Sequence, residues 1–257
     1  MLKKVPPMSL STRVRCVLAV MCYLAFGIGG SLISVLLLLC FFLPERARVR
    51  VGSKVLQYSW KLLCFMMSMT RNLSLRVPDK KKMQRIRGSI VVANHPSLID
   101  VVILTSIIPG SKLVANSKLQ RWRFLRPILK GLCITNDMGA EQFMAQAKHA
   151  LDNGFNVIIF PEGTRTTPGK VSKLQRGAFQ LALQSGYPLV PIRIHTDGPF
   201  LTKEYPWWYV GEHCPHFTLS LGDPIVAQVQ EGETRHAAAV RISRTVADFI
   251  LPGQDFS

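Results

Sequence analysis

Residues 89–100, SIVVANHPSLID, contain the transition on which the fold prediction rests. The first part is a short β-branched run that is typical of a buried strand, and the apolar pattern after Pro96 is typical of a helix. Proline suits the first turn of a helix, because its missing N–H breaks no hydrogen bond there. The stretch therefore predicts a strand that ends at Ala93, then a short polar turn and a helix whose first turn contains Pro96.

Strand-like and helix-like segments alternate through the rest of the chain. The runs NVIIF at 156–160 and PLVPIRIHT at 188–196 are strand-like, and AEQFMAQAKHALDNG at 140–154 is helix-like. This alternation predicts an α/β fold, with a mixed, largely parallel sheet flanked by helices. In such sheets, functional sites lie beyond the carboxyl ends of the strands.

The N-terminal part of the chain is strongly apolar. Residues 17–43 contain no charged side chain, and this run is longer than the roughly 20 residues that span a bilayer. Basic residues flank both ends, so the positive charges give no single orientation. Because Gly27, Gly29 and Gly30 lie within the run, two arrangements remain open: a tilted single span, or a helical hairpin that enters one leaflet.

A second apolar segment at 55–69 carries Tyr58, Trp60 and Lys61. This combination favours a helix at the level of the lipid headgroups, and a core helix of the main domain is the alternative. The polar connector PDKKKMQRIRG at 78–88 follows. We therefore predict membrane-anchoring and interfacial helices at 1–70 and a globular domain at 71–257.

The charge of the chain implies an anionic partner. There are 32 Lys and Arg against 15 Asp and Glu, a formal net charge of +17, together with a mean hydropathy of +0.20. Nucleic acid, an anionic bilayer or a phosphate-bearing small molecule would satisfy this charge, and the apolar N-terminal segment favours the membrane over nucleic acid. The six cysteines have no paired spacing, which is typical of reduced thiols, and the cluster His213–His216 is too compact for a metal site.

His95 and Asp100 follow the first predicted strand. Asp100 lies about one and a half helical turns after His95, near enough to reach back to the imidazole. A neutral imidazole can remove a proton from a hydroxyl, while the carboxylate orients the ring and stabilises the imidazolium. A helix-capping histidine beside a surface carboxylate is the alternative, and the spacing alone does not decide between them.

A second polar loop, FPEGTR at 160–165, follows another predicted strand. A glycine that lets the backbone approach an anion, next to arginine, is typical of a phosphate or carboxylate site. The loop is not a nucleotide-binding P-loop, because five residues separate Gly163 from Gly169 and Val171 stands where Ser or Thr is required.

Together these motifs resemble those of the lysophospholipid, or 1-acylglycerol-3-phosphate, acyltransferases, over about residues 70–225. NHPSLID at 94–100 is similar to the family's His-x4-Asp catalytic motif, FPEGTR to its acceptor-binding motif, and LVPI at 189–192 to its Val-Pro-Ile motif. The resemblance implies a fold like that of glycerol-3-phosphate acyltransferase. It also implies that His95 deprotonates an acceptor hydroxyl, which then attacks the thioester of acyl-coenzyme A or acyl carrier protein, and that Asp100 orients His95.

The resemblance also implies the binding residues and partners. The acceptor would be bound by Glu162, Gly163, Thr164 and Arg165, with Arg165 contacting its phosphate. Lys173 and Arg176 are further candidates for the phosphates of the donor, with ordinary solvated charges as the alternative. No cofactor or metal is expected. The expected partners are membrane lipids and the acyl donor rather than nucleic acid, at the cytoplasmic face of the bacterial inner membrane.

The chain departs from the family at one position. The family's second motif usually ends in an arginine that holds the acceptor phosphate, whereas Asp137 follows the run GLCITN here. A carboxylate repels phosphate. Either the acceptor is a different hydroxylated lipid, such as a lyso-ornithine lipid, or nearby arginines supply the charge: Arg121, Arg123 and Arg126.

Two other classes of function remain as alternatives. A lipid hydrolase with a Ser-His-Asp triad is disfavoured, because the sequence contains no Gly-x-Ser-x-Gly motif. A noncatalytic, membrane-tethered binder of anionic lipid or nucleic acid is supported only by the net charge.

Overall fold

The computed structural model describes residues 2–39, 45–115, 133–135, 139–167 and 174–253. Its helices are α1 (Leu10–Leu39), α2 (Glu45–Met69), α3 (Lys80–Met83), α4 (Asp100–Ile107), α5 (Ala140–Asp152), α6 (Gly177–Ser185) and α7 (Arg235–Ile250). Its strands are β1 (Ser74–Arg76), β2 (Ile90–Ala93), β3 (Ser111–Ala115), β4 (Cys133–Thr135), β5 (Asn156–Ile159), β6 (Leu189–Thr196) and β7 (His216–Leu221).

The described strands form one sheet in the order β1-β7-β6-β2-β5-β3-β4. Strands β6, β2, β5, β3 and β4 are parallel, β7 is antiparallel to β6, and β1 is parallel to β7. The predicted mixed, largely parallel sheet flanked by helices is confirmed. Because β2 and β5 are parallel neighbours, the loops after their carboxyl ends meet at the same edge of the sheet.

Both faces of the central strands are buried, which is why these strands read as continuous apolar runs. Along β2, Val91 and Ala93 pack in the layer that contains α1, α2 and α4, while Ile90 and Val92 pack in the layer of α5, α6 and α7. Burial of each Val or Ile side chain stabilises the fold by about 1.5–3 kcal/mol. The two layers therefore hold β2, and the turn that follows it, in place.

Helices α1 and α2 form an antiparallel pair. Near one end of the pair, Arg15 Nε donates to the Arg71 carbonyl at 3.1 Å, and farther along the Phe26 ring stacks on Trp60 at 4.8 Å. Helix α1 runs without a break through Gly27–Gly30, so a hairpin that turns at these glycines is wrong. The hairpin is instead formed by α1 together with α2, and the residues that join them lie outside the described ranges.

The α1–α2 pair has one buried side and one exposed apolar side. Within the described residues, one helical segment, Leu10–Leu32, is long and apolar enough to cross a membrane. Large apolar side chains are exposed along both helices: Leu10, Val14, Val17, Met21, Leu24, Ile28 and Leu32 in α1, and Val51, Tyr58, Leu62, Phe65 and Met69 in α2. We call these residues the apolar stripe.

The other side of α2 belongs to the protein core. Leu63, Cys64 and Met67 are buried in the layer that contains α4, so the segment at 55–69 is part of a core helix, which was the alternative. Its location at the lipid headgroups stays a prediction. The boundary between the membrane-anchoring helices at 1–70 and the globular domain at 71–257 stays a prediction. Buried residues of α1 and α2 belong to the same core cluster as those of the domain.

Candidate active site

The turn between β2 and α4 is held by polar contacts of its own residues. Asp100 Oδ2 accepts the Ser97 N–H at 2.7 Å, and the Ser97 hydroxyl donates to the Phe200 carbonyl at 2.7 Å. The predicted helix was to include Pro96 in its first turn, whereas α4 begins at Asp100. The helix begins later because the Ser97 N–H and hydroxyl already donate to the Asp100 carboxylate and the Phe200 carbonyl, and these bonds require no helical turn.

His95 and Asp100 form a hydrogen-bonded pair. His95 Nδ1 lies 3.1 Å from Asp100 Oδ2, and the Asp100 side chain is completely buried. The N-cap residue of α4 is Ile99, and no side chain caps the helix, so His95 is not a helix cap and Asp100 is not a surface residue. Since a carboxylate only accepts hydrogen bonds, Nδ1 carries the proton and Nε2 keeps its lone pair. This is the tautomer that a general base requires.

The environment of Asp100 disfavours its charge. Burial raises the pKa of its carboxyl to about 6, the nearby Glu162 carboxylate adds repulsion, and the hydrogen bonds from His95 and Ser97 act in the opposite direction. Oδ1 is buried and makes no hydrogen bond within the described part of the chain. A positive charge on His95 would therefore stabilise the carboxylate strongly, as the imidazolium of a general-base step does.

The loop after β5 fixes the backbone of His95. The His95 N–H donates to Glu162 Oε1 at 3.0 Å and to the Thr166 hydroxyl at 3.2 Å, and the Thr166 hydroxyl donates to the same Glu162 oxygen at 2.6 Å. The Thr166 N–H in turn donates to the His95 carbonyl at 2.7 Å. In addition, the Phe160 ring stacks on the imidazole at 4.2 Å. The structure thus brings the two predicted motifs together around His95.

The contacts of Glu162 include the backbone N–H of His95 and the Thr166 hydroxyl, and the residue is buried. The predicted acceptor-binding role of Glu162 stays a prediction. Two further contact residues were not predicted: Phe160, which is the first residue of the FPEGTR motif, and Thr166, which directly follows it.

The other predicted acceptor residues lie at the surface of the same loop. Gly163 and Thr164 are exposed. Gly163 has a φ of +65°, and a Cβ at this residue would clash with the Gln175 side chain. Arg165 is half-buried, and its Nη1 donates to the carbonyls of Leu201 at 3.0 Å and Thr202 at 2.6 Å. Burial lowers the pKa of the Arg165 guanidinium, which still remains charged.

A lysine that the sequence analysis did not select lies beside this loop. Lys203 is exposed, and its Nζ donates to the Thr164 hydroxyl at 3.4 Å. It makes no salt bridge with the described carboxylates. Its charge is therefore available next to the predicted acceptor residues.

Arg176 is not brought into this cluster. Arg176 is exposed and its Nη1 lies 3.0 Å from His236 Nε2, at the start of α7. Lys173, Asp137 and the three arginines at 121–126 lie outside the described residues. Their predicted roles stay predictions.

The connection between β6 and β7 links α1 to residues 94–99, the turn that contains the predicted base His95 and that we call the catalytic turn. At one end, the Leu98 N–H donates to the Leu201 carbonyl at 3.2 Å. At the other end, the Arg15 guanidinium donates to the carbonyls of Gly211, Glu212 and His213, and the Thr12 hydroxyl donates to the Glu212 carboxylate at 2.8 Å. Nothing in the sequence pattern indicated this link.

Comparison with known proteins agrees with the motifs. The family model described as acyltransferase matches residues 74–195, a range that includes His95, Asp100 and the loop from Phe160 to Thr166. Residues 74–195, just under half of the chain, are thus similar to this family. The resemblance inferred from the motifs is confirmed.

Similar proteins are named 1-acyl-sn-glycerol-3-phosphate acyltransferases. The human beta enzyme is 30% identical over 129 residues, which are 47% of this chain and 46% of that protein. The Saccharomyces cerevisiae enzyme is 25% identical over 203 residues, which are 75% of this chain and 63% of that protein. The matches thus span only about half the length of these curated relatives.

The fold of the acyltransferase domain and of its N-terminal helices has a solved counterpart. The crystal structure of the 1-acyl-sn-glycerophosphate (LPA) acyltransferase PlsC from Thermotoga maritima matches with a TM-score of 0.72 and 19% identity. The match covers 95% of this chain and 100% of that chain. The architecture therefore includes the N-terminal helices as well as the sheet.

Proposed function

We propose that this chain transfers an acyl group from acyl-coenzyme A or acyl carrier protein to a hydroxyl of a lysophospholipid of the 1-acylglycerol 3-phosphate type. His95 is the general base, and Asp100 orients it. The observation that carries the proposal is the bond between His95 Nδ1 and the buried Asp100 carboxylate, because it leaves Nε2 as the proton acceptor. Nε2 makes no hydrogen bond to the described residues.

The reaction balances without a protein nucleophile. Nε2 takes the proton of the acceptor hydroxyl while its oxygen attacks the thioester carbonyl carbon. Collapse of the tetrahedral intermediate breaks the C–S bond, and the imidazolium returns the proton to the leaving thiolate. Ser97, in the same turn, donates its hydroxyl hydrogen to the Phe200 carbonyl, which argues against its use as the nucleophile of a hydrolase.

The acceptor would be held at the loop after β5. The names of the relatives favour 1-acylglycerol 3-phosphate, and Arg165 and Lys203 supply two positive charges for its phosphate. Asp137 favours the second candidate, transfer to a hydroxylated lipid without the glycerol phosphate group. Product analysis separates the two candidates directly.

The α1–α2 pair would place the site at a bilayer. The apolar stripe supports insertion of the pair, and its antiparallel arrangement supports a hairpin whose two ends return to the same side. Leu98, in the catalytic turn, and Trp207, in the β6–β7 connection, are also exposed. With the basic ends in the cytosol, the site would lie at the cytoplasmic face.

The test is to incubate the membrane-bound full chain with isotope-labelled acyl-coenzyme A or acyl carrier protein and a panel of lyso-lipids, and to identify the products by mass spectrometry. We expect a labelled diacyl product, and its loss in His95→Ala. His149→Ala is the matched control, because His149 is exposed on α5 away from the site. Full transfer by His95→Ala would rule out the mechanism, and a free fatty acid as the main product would point to hydrolysis.

A further inference from the structure

Strands β1, β7 and β6 carry a row of polar side chains on one face. In the sheet register, Arg76 pairs with Thr218, Thr218 pairs with His195, and Ser220 pairs with Arg193. Because side chains alternate along a strand, these five residues lie on the face opposite to the buried Ile192, Ile194, Phe217 and Leu219. All five are solvent-accessible. We call them the basic sheet face.

The charges of this face are not balanced. Arg193 is only half exposed, and neither Arg193 nor Arg76 makes a salt bridge or side-chain hydrogen bond with any residue that the structure describes. The nearby Asp197 is already engaged, since its carboxylate accepts the N–H of His216 at 2.7 Å and lies 2.9 Å from His216 Nδ1. A guanidinium that has no partner in the protein keeps its donors available for a bound anion.

The basic sheet face begins next to the catalytic turn. The Asn94 side chain accepts the N–H of Ile194 at 2.7 Å and donates to its carbonyl at 2.8 Å, and Ile194 lies between Arg193 and His195. Asn94 directly precedes His95. On the other side of the sheet, Phe160, which stacks on the imidazole, packs against the layer of α1, α2 and α4. The base and the basic sheet face therefore lie on opposite sides of the same carboxyl edge.

We propose that the basic sheet face binds the phosphates of coenzyme A in the acyl donor. The inference rests on the proposed acyl transfer and specifies its donor. A thioester at His95 and a nucleotide on the basic sheet face would place the apolar acyl chain toward the membrane helices and the phosphates away from them. Arginine forks bind phosphate oxygens in pairs, and the hydroxyls of Thr218 and Ser220 can donate to them as well.

The size of the face favours a nucleotide over a carrier protein. Arg76 lies two strands from His195, a distance of about 10 Å, and Arg193 lies two residues from His195, about 7 Å along the strand. This span fits the few phosphate groups of one nucleotide. A stable contact with a protein usually covers about 800 Å² on each partner. The basic sheet face, which spans about 10 Å by about 7 Å, is far smaller.

The test compares two donors in full-length protein: acyl-coenzyme A, and the acyl-pantetheine thioester, which lacks the phosphates. We expect the wild type to prefer the coenzyme A thioester in kcat/KM. Arg193→Gln should reduce this preference about tenfold, and Arg193→Gln combined with Arg76→Gln about 100-fold, since charge-assisted hydrogen bonds are lost. Arg85→Gln is the matched control, because it removes the same charge from the exposed turn before β2, at the opposite edge of the sheet.

The outcomes separate the two proposals. If Arg193→Gln prefers acyl-coenzyme A over the acyl-pantetheine thioester as strongly as the wild type and Arg85→Gln do, the proposed role of the basic sheet face is overturned. The proposed acyl transfer would be unaffected by that result. Transfer from acyl carrier protein alone would also overturn it. Absence of transfer from every donor would instead contradict the proposed function, and binding of coenzyme A to the wild type and the same variants, measured by calorimetry, would then decide on the face.

Discussion

Thr166 and His95 are joined through both their backbones and a side chain. The Thr166 N–H donates to the His95 carbonyl at 2.7 Å, and the Thr166 hydroxyl accepts the His95 N–H at 3.2 Å. The position of the imidazole therefore depends on a residue of the other loop, in addition to the carboxylate of Asp100.

Thr166→Val should lower kcat about tenfold with little change in the acceptor KM. The substitution keeps the shape of the side chain but leaves the His95 N–H and Glu162 without the hydroxyl, and such a loss costs about 1–3 kcal/mol. Thr166→Ser, which keeps the hydroxyl, should restore most of the rate. Steady-state kinetics test this, with thermal melting to show that the variants are as stable as the wild type. A change in the acceptor KM alone in Thr166→Val would contradict the positioning role.

Asp100 predicts opposite pH trends for activity and stability. Burial raises the pKa of its carboxyl to about 6, so that, as the pH falls, the carboxyl binds a proton in the folded state before it does so in the unfolded state. As the pH falls from about 6 to about 4, this group alone should increase the free energy of unfolding. Over the same range kcat/KM should fall, because the protonated carboxyl holds the His95 imidazolium poorly.

Asp100→Asn is the control for both trends. It should lose transfer activity by at least about 100-fold, since the amide cannot stabilise the imidazolium. Its thermal midpoint should lack the part of the pH dependence that arises from Asp100. An unchanged stability profile between pH 4 and 6 in the variant would contradict the raised pKa of Asp100.

Glu162→Gln should shift the acidic limb of the pH profile to lower pH. The amide oxygen can still accept the His95 N–H, but the charge that helps to raise the pKa of Asp100 is removed. Glu162→Ala should lose both the acceptor for the His95 N–H and the charge that raises the pKa of Asp100, and with them most of the activity. If Glu162 instead binds the acceptor, Glu162→Gln will raise the acceptor KM and leave the limb in place.

Asp137→Arg should raise activity on 1-acylglycerol 3-phosphate relative to wild type, because it replaces a repelling charge by an attractive one. Lys203→Ala should lower activity on the same substrate by raising its KM. Both are measured with phosphate-bearing and phosphate-free acceptors in parallel. No gain on the phosphate-bearing acceptor by Asp137→Arg would remove this explanation of specificity.

Ile28→Lys combined with Leu24→Lys should release the protein from vesicles containing anionic lipid. Each lysine would face the hydrocarbon region if the apolar stripe is inserted, at a cost of about 2.5–3.5 kcal/mol at the bilayer centre. Flotation of the full chain with vesicles measures the effect. Val226→Lys, at an exposed apolar residue of the domain, is the control and should float like the wild type.

Removal of residues 1–50 is a harsher change than these substitutions. Cys16, Ala19 and Cys22 of α1 belong to the core, and Arg15 holds the β6–β7 connection. We expect the truncated chain to lose stability as well as membrane binding, so that detergent-dispersed substrate does not restore its activity. Recovery of full activity in detergent would show that α1 serves only as an anchor.

The local parts of the site were predictable from the sequence because each occupies a few consecutive residues. The strand before His95, the polar turn and the loop from Phe160 to Arg165 all have recognisable patterns. The bonds between His95 and Thr166 were not predictable, because the two residues are 71 positions apart and meet only because β2 and β5 are neighbours. The link from the catalytic turn to α1 was missed for the same reason, since the β6–β7 connection has no helical or strand periodicity.

The reversal of β7 relative to β6 has a consequence for the two kinds of substrate. Parallel neighbours need a crossover, usually a helix that covers the sheet, whereas antiparallel neighbours do not. At this step the described connection contains no helix, and the polar residues of β6 and β7 remain in contact with water. One edge of the sheet thus has an apolar side and a water-exposed side, so that in the proposed reaction the lipid acceptor would approach His95 from the membrane and the donor from water.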